Sequence, residues 1–285
     1  MLNTKTIKIA DKFEIGNDKP FFFMAGPCQL ENLDHSLMMA EGIKKITDKL
    51  GINYVFKASF DKANRSSVTS KRGVSLDKGM RIFEEVKKQL GLPTITDVHL
   101  PEQCKPVGEV CDILQIPAFL CRQSDLLESA AKTNKPLHVK KMQQLAPWSM
   151  ESVVKKLAHF GNDKVMLCER GSMFGYGTLV NDIRGMAVMG QYAPVTIDST
   201  HSCQLPGGKI TGGNRDMAPL IAGACLSTGI AGVFAEVHQD PDNAPSDSAN
   251  MIRLDYLEKV LTRLVAIDKI AKEYPLDIKN YTILG

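Results

Sequence analysis

The sequence predicts an α/β protein: a (β/α)8 barrel with an N-terminal β-hairpin. Three observations carry this. Eight short strand-like runs recur between residues 21 and 238. The segments between and after them space apolar residues at three and four, the period of a helix, and strand alternating with helix is the pattern of a parallel sheet covered by helices. The rival, a doubly wound open sheet, would carry G-x-G-x-x-G after its first strand, and that fingerprint is missing. With 285 residues, 44% hydrophobic and 24% charged, the chain can build a full core. No linker or low-complexity stretch interrupts it, so residues 1–285 read as one domain.

The elements follow in order. TIKIADKFEIG alternates like a hairpin within about residues 5–16, with Asp11-Lys12 near the turn. The eight strands are FFFMAG (21–26), NYVFKASF (53–60), TITDVH (94–99), ILQIPA (113–118), LHVKKM (137–142), VMLCERG (165–171), VTIDST (195–200) and GVFAEVH (232–238). LDHSLMMAEGIKKITDKL, LDKGMRIFEEVKKQL, MAPLIAGACLSTG and RLDYLEKVLTRLVAIDKIAKEY carry the helical period. Ser149-Met150-Glu151 reads as a helix start and Leu90-Gly91 as a stop.

Composition narrows the function. A net charge of +3 and a pI near 8.4, with no basic arm, point to neither nucleic acid nor membrane. No apolar run approaches the roughly 18 residues of a membrane span, and the N-terminus has no signal-peptide core. The seven cysteines (28, 104, 111, 121, 168, 203 and 225) form no CxxC pair and no zinc-ribbon spacing. That suits reduced thiols in the cytosol.

Active sites of such barrels lie at the carboxyl ends of the strands, where alternate residues point inward. Read at period two, these ends give Lys57 and Ser59, Asp97 and His99, His138 and Lys140, Glu236 and His238. Cys168 and Arg170 are a poorer case because Glu169 lies between them; Gln115 comes from the fourth strand and His201 directly after the seventh. Buried charges are costly unless paired or functional, and so many together favour a site over a merely solvated barrel mouth. One set is cationic: Lys57, Lys62, Arg65, Lys140 and Arg170, suited to phosphate and carboxylate. The other is metal-capable: Cys28, His201, Glu236 and Asp247, suited to Zn²⁺, Fe²⁺, Mn²⁺ or Co²⁺ rather than Mg²⁺. By residue type alone, His99, His238 and Cys203 are equally fair ligands. The glycine-rich segment 203–214 could cradle a phosphate, act as a lid, or be a plain flexible loop.

FKASFDKANRSS (56–67), ITDVH (95–99), QIPAFLCRQSDL (115–126), VKK (139–141), CERG (168–171), DSTHSCQLPGG (198–208) and EVHQDPDNAPSDS (236–248) closely resemble the KDO-8-phosphate synthase family, in order and over nearly the whole chain. The sister heptulosonate 7-phosphate synthases look like K-P-R-T-S where this chain has KANRSS. The resemblance implies condensation of phosphoenolpyruvate with arabinose 5-phosphate and release of phosphate, in lipopolysaccharide synthesis. It implies that Lys57, Lys62, Lys140 and Arg170 hold phosphoenolpyruvate beside Ser59 and Gln115. Asn64, Arg65 and Ser66 would hold the sugar phosphate, with Asp97 at its hydroxyls. Phe119 and Arg122 would reach a neighbouring subunit's site in a homo-oligomer, usually a tetramer. Metal-free members have Asn where this chain has Cys28, so the resemblance implies the metal-dependent class, with Cys28, His201, Glu236 and Asp247 as ligands and Lys62, Lys140, His201 and Asp247 serving the chemistry. Val74-Ser75 and Ser248 depart from the Pro-Gly and Gly or Ala common in the family. Two alternatives remain: the sister activity on erythrose 4-phosphate, and a dead sugar-phosphate sensor on the same barrel. The sensor would show losses among Lys62, Lys140, Arg170 and His201, and all four are present.

Overall fold

Eight parallel strands close on themselves: β1 (Phe22–Gly26), β2 (Asn53–Lys57), β3 (Thr94–Asp97), β4 (Ile113–Ile116), β5 (Leu137–Lys140), β6 (Val165–Glu169), β7 (Val195–Asp198) and β8 (Gly232–His238). Each pairs with the next in chain order, and β8 returns to β1, so the barrel has no open edge. This computed structural model describes residues 2, 5–64, 72–173, 176–205 and 212–276. The helices between and after the strands are α1 (Leu33–Leu50), α2 (Leu76–Leu90), α3 (Pro101–Val110), α4 (Ser124–Ala131), α5 (Met150–His159), α6 (Ile183–Met189), α7 (Ala218–Leu226) and α8 (Leu254–Glu273). The (β/α)8 reading of the sequence is therefore correct. No helix among the described residues is long and apolar enough to cross a membrane.

The run FFFMAG is apolar without alternation because β1 is buried on both faces. Phe22 and Met24 face the barrel interior with Val55, Ile95, Ile113, Met166 and Phe234. Phe23 and Ala25 face the helices, in a second layer that includes Phe56, Phe83, Leu114, Val139, Leu167 and Leu261. Burying one such side chain is worth about 1.5–3 kcal/mol. The hairpin pairs Ile7–Ile9 with Phe13–Ile15. Its Ile7, Ile9 and Ile15 join the interior cluster, closing the end where the strands begin. Its turn passes through Ala10 and Asp11 at φ 48° and 54° and is closed by the Lys12 amide donating to the Ile9 carbonyl at 2.9 Å.

The Asn32 side chain accepts from the His35 amide at the start of α1, and Gly91 ends α2 at φ 64° with its amide bonded to Lys87. Ser75, one of the departures from the family pattern, caps α2 by accepting from the Lys78 amide. The helix start expected at Ser149-Met150-Glu151 is found, with Ser149 directly before α5. Residues Pro147–Ser149 already form a 3-10 turn, so Ser149 is helical and its side chain makes no cap bond. At the chain's far end α8 lays Leu257, Val260, Leu261 and Leu264 into the outer core. From its last turn, Lys272 Nζ donates to the carbonyls of Gly229 and Ile230 at 2.7 and 2.8 Å, and to that of Asn17.

Candidate active site

The carboxyl ends of the strands form a polar bowl above the apolar interior. On the β2 side, Ser59 Oγ donates to Asp97 Oδ1 at 2.6 Å and accepts from Lys57 Nζ at 3.2 Å and Lys62 Nζ at 3.1 Å. Asp97 Oδ2 lies 3.0 Å from His99 Nε2. Burial lowers the pKa of Lys57, reinforced by the neighbouring Lys62. Burial also works against the charge on Lys62, but Cys28, Glu236, Asp97 and Asp247 outweigh it and raise its pKa. Asp97 stays well below the usual carboxylate range: burial opposes its charge, and His99 and the two lysines more than offset that.

Across the bowl, Lys140 Nζ binds Asp198 Oδ2 and sits 3.8 Å from the centroid of the Phe234 ring; Lys57 Nζ lies over the same ring at 5.1 Å. Arg170 Nη2 donates to Gln204 Oε1 at 2.7 Å, while its Nη1 is buried with no hydrogen-bond partner among the described residues. A guanidinium that keeps a buried, unused donor is prepared to grip an anion. One layer deeper, His138 lies between Thr196 Oγ1 at 2.9 Å and Gln115 Oε1 at 3.3 Å, stacked on Phe234. Burial, aided by Lys140, pushes its pKa down to about 3, so it is a neutral core group.

On the third side, four separate segments converge. Cys28 follows β1, and its thiol donates to Asp247 Oδ2 at 3.2 Å while accepting from Ser246 Oγ at 2.8 Å. Glu236 comes from β8; Asp247 comes from the loop after it, at φ 49°. His201 sits on the 3-10 turn after β7. Its Nε2 lies 3.6 Å from Glu236 Oε1 and 3.7 Å from Asp247 Oδ2. Cys28, Glu236 and Asp247 each offer a ligand atom within 4.8 Å of the others. Both carboxylate oxygens of Glu236 are buried and accept no hydrogen bond from the described residues; Lys57 lies 3.5 Å and Lys62 3.9 Å from Oε1. A buried carboxylate without hydrogen-bond donors is costly unless a cation satisfies it. This sulfur, nitrogen and oxygen donor set fits a divalent ion of the borderline type. Without one, burial and then Glu236 hold the Cys28 thiol well above its ordinary pKa. His201 is raised, because Asp198 and Glu236 outweigh its burial.

The sequence matches the model of the DAHP synthetase I family over residues 4–273. The chain belongs to the DAHP synthetase I family. It is 54% identical over 272 residues to a protein of Rickettsia bellii (strain OSU 85-389) named 2-dehydro-3-deoxyphosphooctonate aldolase, spanning 94% of this chain and 99% of that one. Proteins of the same name from Rickettsia prowazekii (strain Madrid E) and Bartonella quintana (strain Toulouse) are 53% and 50% identical, over 94% and 96% of this chain and 98% and 99% of theirs.

In this member of the DAHP synthetase I family, the residues expected from the strand ends divide into groups. Lys57, Ser59, Lys62, Asp97, Lys140, Cys28, His201, Glu236 and Asp247 line one bowl through shared partners, with Arg170 in the field of Asp198 and Asp247 and with Gln115 beneath. Asn64 is exposed at the rim, whereas Arg65 and Ser66 lie outside the described residues. Phe119 is 55% exposed and Arg122 is also on the surface. The alternative ligands go elsewhere. His99 pairs with Asp97, Cys203 Sγ faces the Ser199 carbonyl at 3.2 Å, and His238 Nε2 meets Glu31 Oε1 at 2.9 Å beside His35. Glu169 faces away from the bowl, 3.5 Å from Lys141, and accepts from the Arg170 and Gly171 amides. In the glycine-rich segment, Gln204–Leu205 pairs with Gly212–Gly213, and 206–211 lie outside the described residues. Two residues escaped the reading of the sequence. Asp198 was visible as a charge ending an apolar strand, but Ser246 carried no signal.

Proposed function

We propose that this chain condenses phosphoenolpyruvate with D-arabinose 5-phosphate and water, giving 3-deoxy-D-manno-octulosonate 8-phosphate and inorganic phosphate. The observation that carries this is the convergence of Lys57, Lys62, Lys140 and Arg170 beside the Cys28, His201, Glu236 and Asp247 group, in a chain whose relatives are named for an octonate. An eight-carbon product needs a three-carbon and a five-carbon partner. A heptulosonate would need a four-carbon aldose instead.

In this reading Lys57, Lys140 and Arg170 hold the phosphate and carboxylate of phosphoenolpyruvate, with Ser59 and Gln115 beside them. Asn64, Arg65 and Ser66 receive the sugar phosphate, and Asp97 faces its hydroxyls. Carbon 3 of phosphoenolpyruvate bonds to the aldehyde carbon while Lys62 protonates the aldehyde oxygen. Carbon 2 becomes cation-like and takes up water, whose proton passes to Asp247. The new hydroxyl on carbon 2 then closes to the ketone as the C–O bond breaks; the electron pair leaves with phosphate, which takes up the hydroxyl proton, and Lys140 opposes its charge. A divalent ion (Zn²⁺, Fe²⁺, Mn²⁺ or Co²⁺) held by Cys28, His201, Glu236 and Asp247 would supply electrophilic help and orient the aldehyde or the water.

Balance of charge supports this. The four bowl cations face Asp97, Asp198, Glu236 and Asp247, so a polyanionic substrate gains most once a further cation is present. We also propose a single cytoplasmic domain, assembled as a homotetramer in which Phe119 and Arg122 reach a neighbouring subunit.

The test offers phosphoenolpyruvate with either arabinose 5-phosphate or erythrose 4-phosphate and identifies the product by mass. An octulosonate 8-phosphate from the pentose, with little or no turnover of the tetrose, is expected. A heptulosonate made at the greater rate would overturn the assignment.

A further inference from the structure

We propose that Asp198 is a positioning residue that fixes Lys140 and His201 to one another. One buried carboxylate would then set both the grip on the anionic substrate and the aim of a metal ligand. This rests on the metal-dependent reading given above. Asp198 ends β7 and is fully buried, with 0% exposure. Its Oδ1 accepts from the His201 amide at 2.9 Å and the Thr200 hydroxyl at 3.2 Å. Its Oδ2 binds Lys140 Nζ and lies 2.7 Å from His201 Nδ1. Three hydrogen bonds and the close approach of His201 Nδ1 thus surround the carboxylate.

The arrangement has two consequences. A proton on His201 Nδ1 facing Asp198 leaves the Nε2 lone pair for the opposite side, where Glu236 and Asp247 lie. Carboxylates in this position commonly fix the tautomer and ring orientation of a metal-ligating histidine. Thr200 extends the brace, because its Oγ1 also accepts from the Glu236 amide at 3.0 Å. The same Asp198 oxygen holds Lys140 between itself and the face of Phe234, so Lys140 and His201 share one acceptor. Metal affinity and substrate affinity, separable in most sites, are linked here through one side chain. A buried ion pair that only stabilised the barrel would link neither.

The experiment compares wild type with Asp198→Asn, which keeps the shape but removes the charge and one acceptor. Metal-stripped protein is titrated with Co²⁺ against a chromophoric chelator, following the thiolate-to-cobalt absorption, and KM for phosphoenolpyruvate is measured on the reloaded enzyme. The expected result is a Co²⁺ affinity lower by roughly 10–100-fold, together with a raised KM for phosphoenolpyruvate. Unchanged Co²⁺ affinity and unchanged KM in a folded variant overturn the proposal and leave the metal reading intact. A wild type that takes up no Co²⁺ overturns both. Where Asp198→Asn fails to fold by circular dichroism, Thr200→Val carries the test. It removes the hydroxyl brace without touching a charge, and Co²⁺ affinity should fall severalfold; no change there also overturns the proposal.

Discussion

At the scale of single residues, the site combines groups that are individually unsatisfied and jointly complementary. Among the described residues, Arg170 keeps a buried donor without a partner, and Glu236 keeps two buried oxygens without a hydrogen bond. Each is costly alone and useful only when a substrate anion or a cation arrives. Arg170→Lys should therefore raise KM for phosphoenolpyruvate roughly 10–100-fold, because a point charge cannot replace a planar fork at a bidentate site. Steady-state kinetics on the folded variant decide this, and an unchanged KM would place Arg170 outside the substrate's reach. Much of this site was legible in the sequence. Lys57, Lys140 and Glu236 stand at inward positions of largely apolar runs, and charges gathered there favour a site over a solvated barrel mouth. What spacing could not supply is Asp247, which reaches Cys28 across 219 positions of sequence. The likeness to a known family supplied it instead. Arg65 and Ser66 lie outside the described residues, so their part rests on that likeness.

At the scale of elements, precision comes from close strand contact. A Cβ at Gly26 would lie 2.1 Å from the Lys57 carbonyl oxygen, so β1 can approach β2 there only with glycine. Gly26→Ala should force the two strands apart, lowering stability by about 1–3 kcal/mol and weakening substrate binding by displacing Lys57. Thermal unfolding together with KM checks this; a variant with wild-type melting and KM would show that the strands can yield freely. Strands and long helices were readable because their apolar periods, two or none against 3.6, are set by burial on one or both faces. The start of α5 at Ser149 was legible, but its side chain makes no cap bond for a local reason. A serine before an acidic residue has the composition of a cap, but Pro147 starts a 3-10 turn that takes Ser149 into the helix.

At the scale of the whole molecule, polar groups held inside the barrel govern its response to acid. His138 is neutral in the folded chain with a pKa near 3, against an ordinary value of 6.5. Below about pH 6.5 the unfolded chain binds a proton that the folded chain refuses, so stability falls as pH falls through that range. The loss is roughly 1.4 kcal/mol per pH unit from this group, and it levels off near pH 3 once the folded form also protonates. His138→Gln should flatten the acid limb of the stability curve between those limits, as read by denaturant titrations at several pH values; an equally steep limb would assign it to other groups. The barrel also brings Cys28, Glu236 and Asp247 together, with His201 beside the two carboxylates, and on this the account chiefly depends. The most direct measurement is phosphate release from phosphoenolpyruvate plus arabinose 5-phosphate, before and after chelation, with wild type and Cys28→Asn. The account predicts that chelation abolishes wild-type turnover and that added Mn²⁺ or Zn²⁺ restores it. Full activity of the chelated wild type would contradict the metal assignment, and no phosphate release under any metal would contradict the function itself.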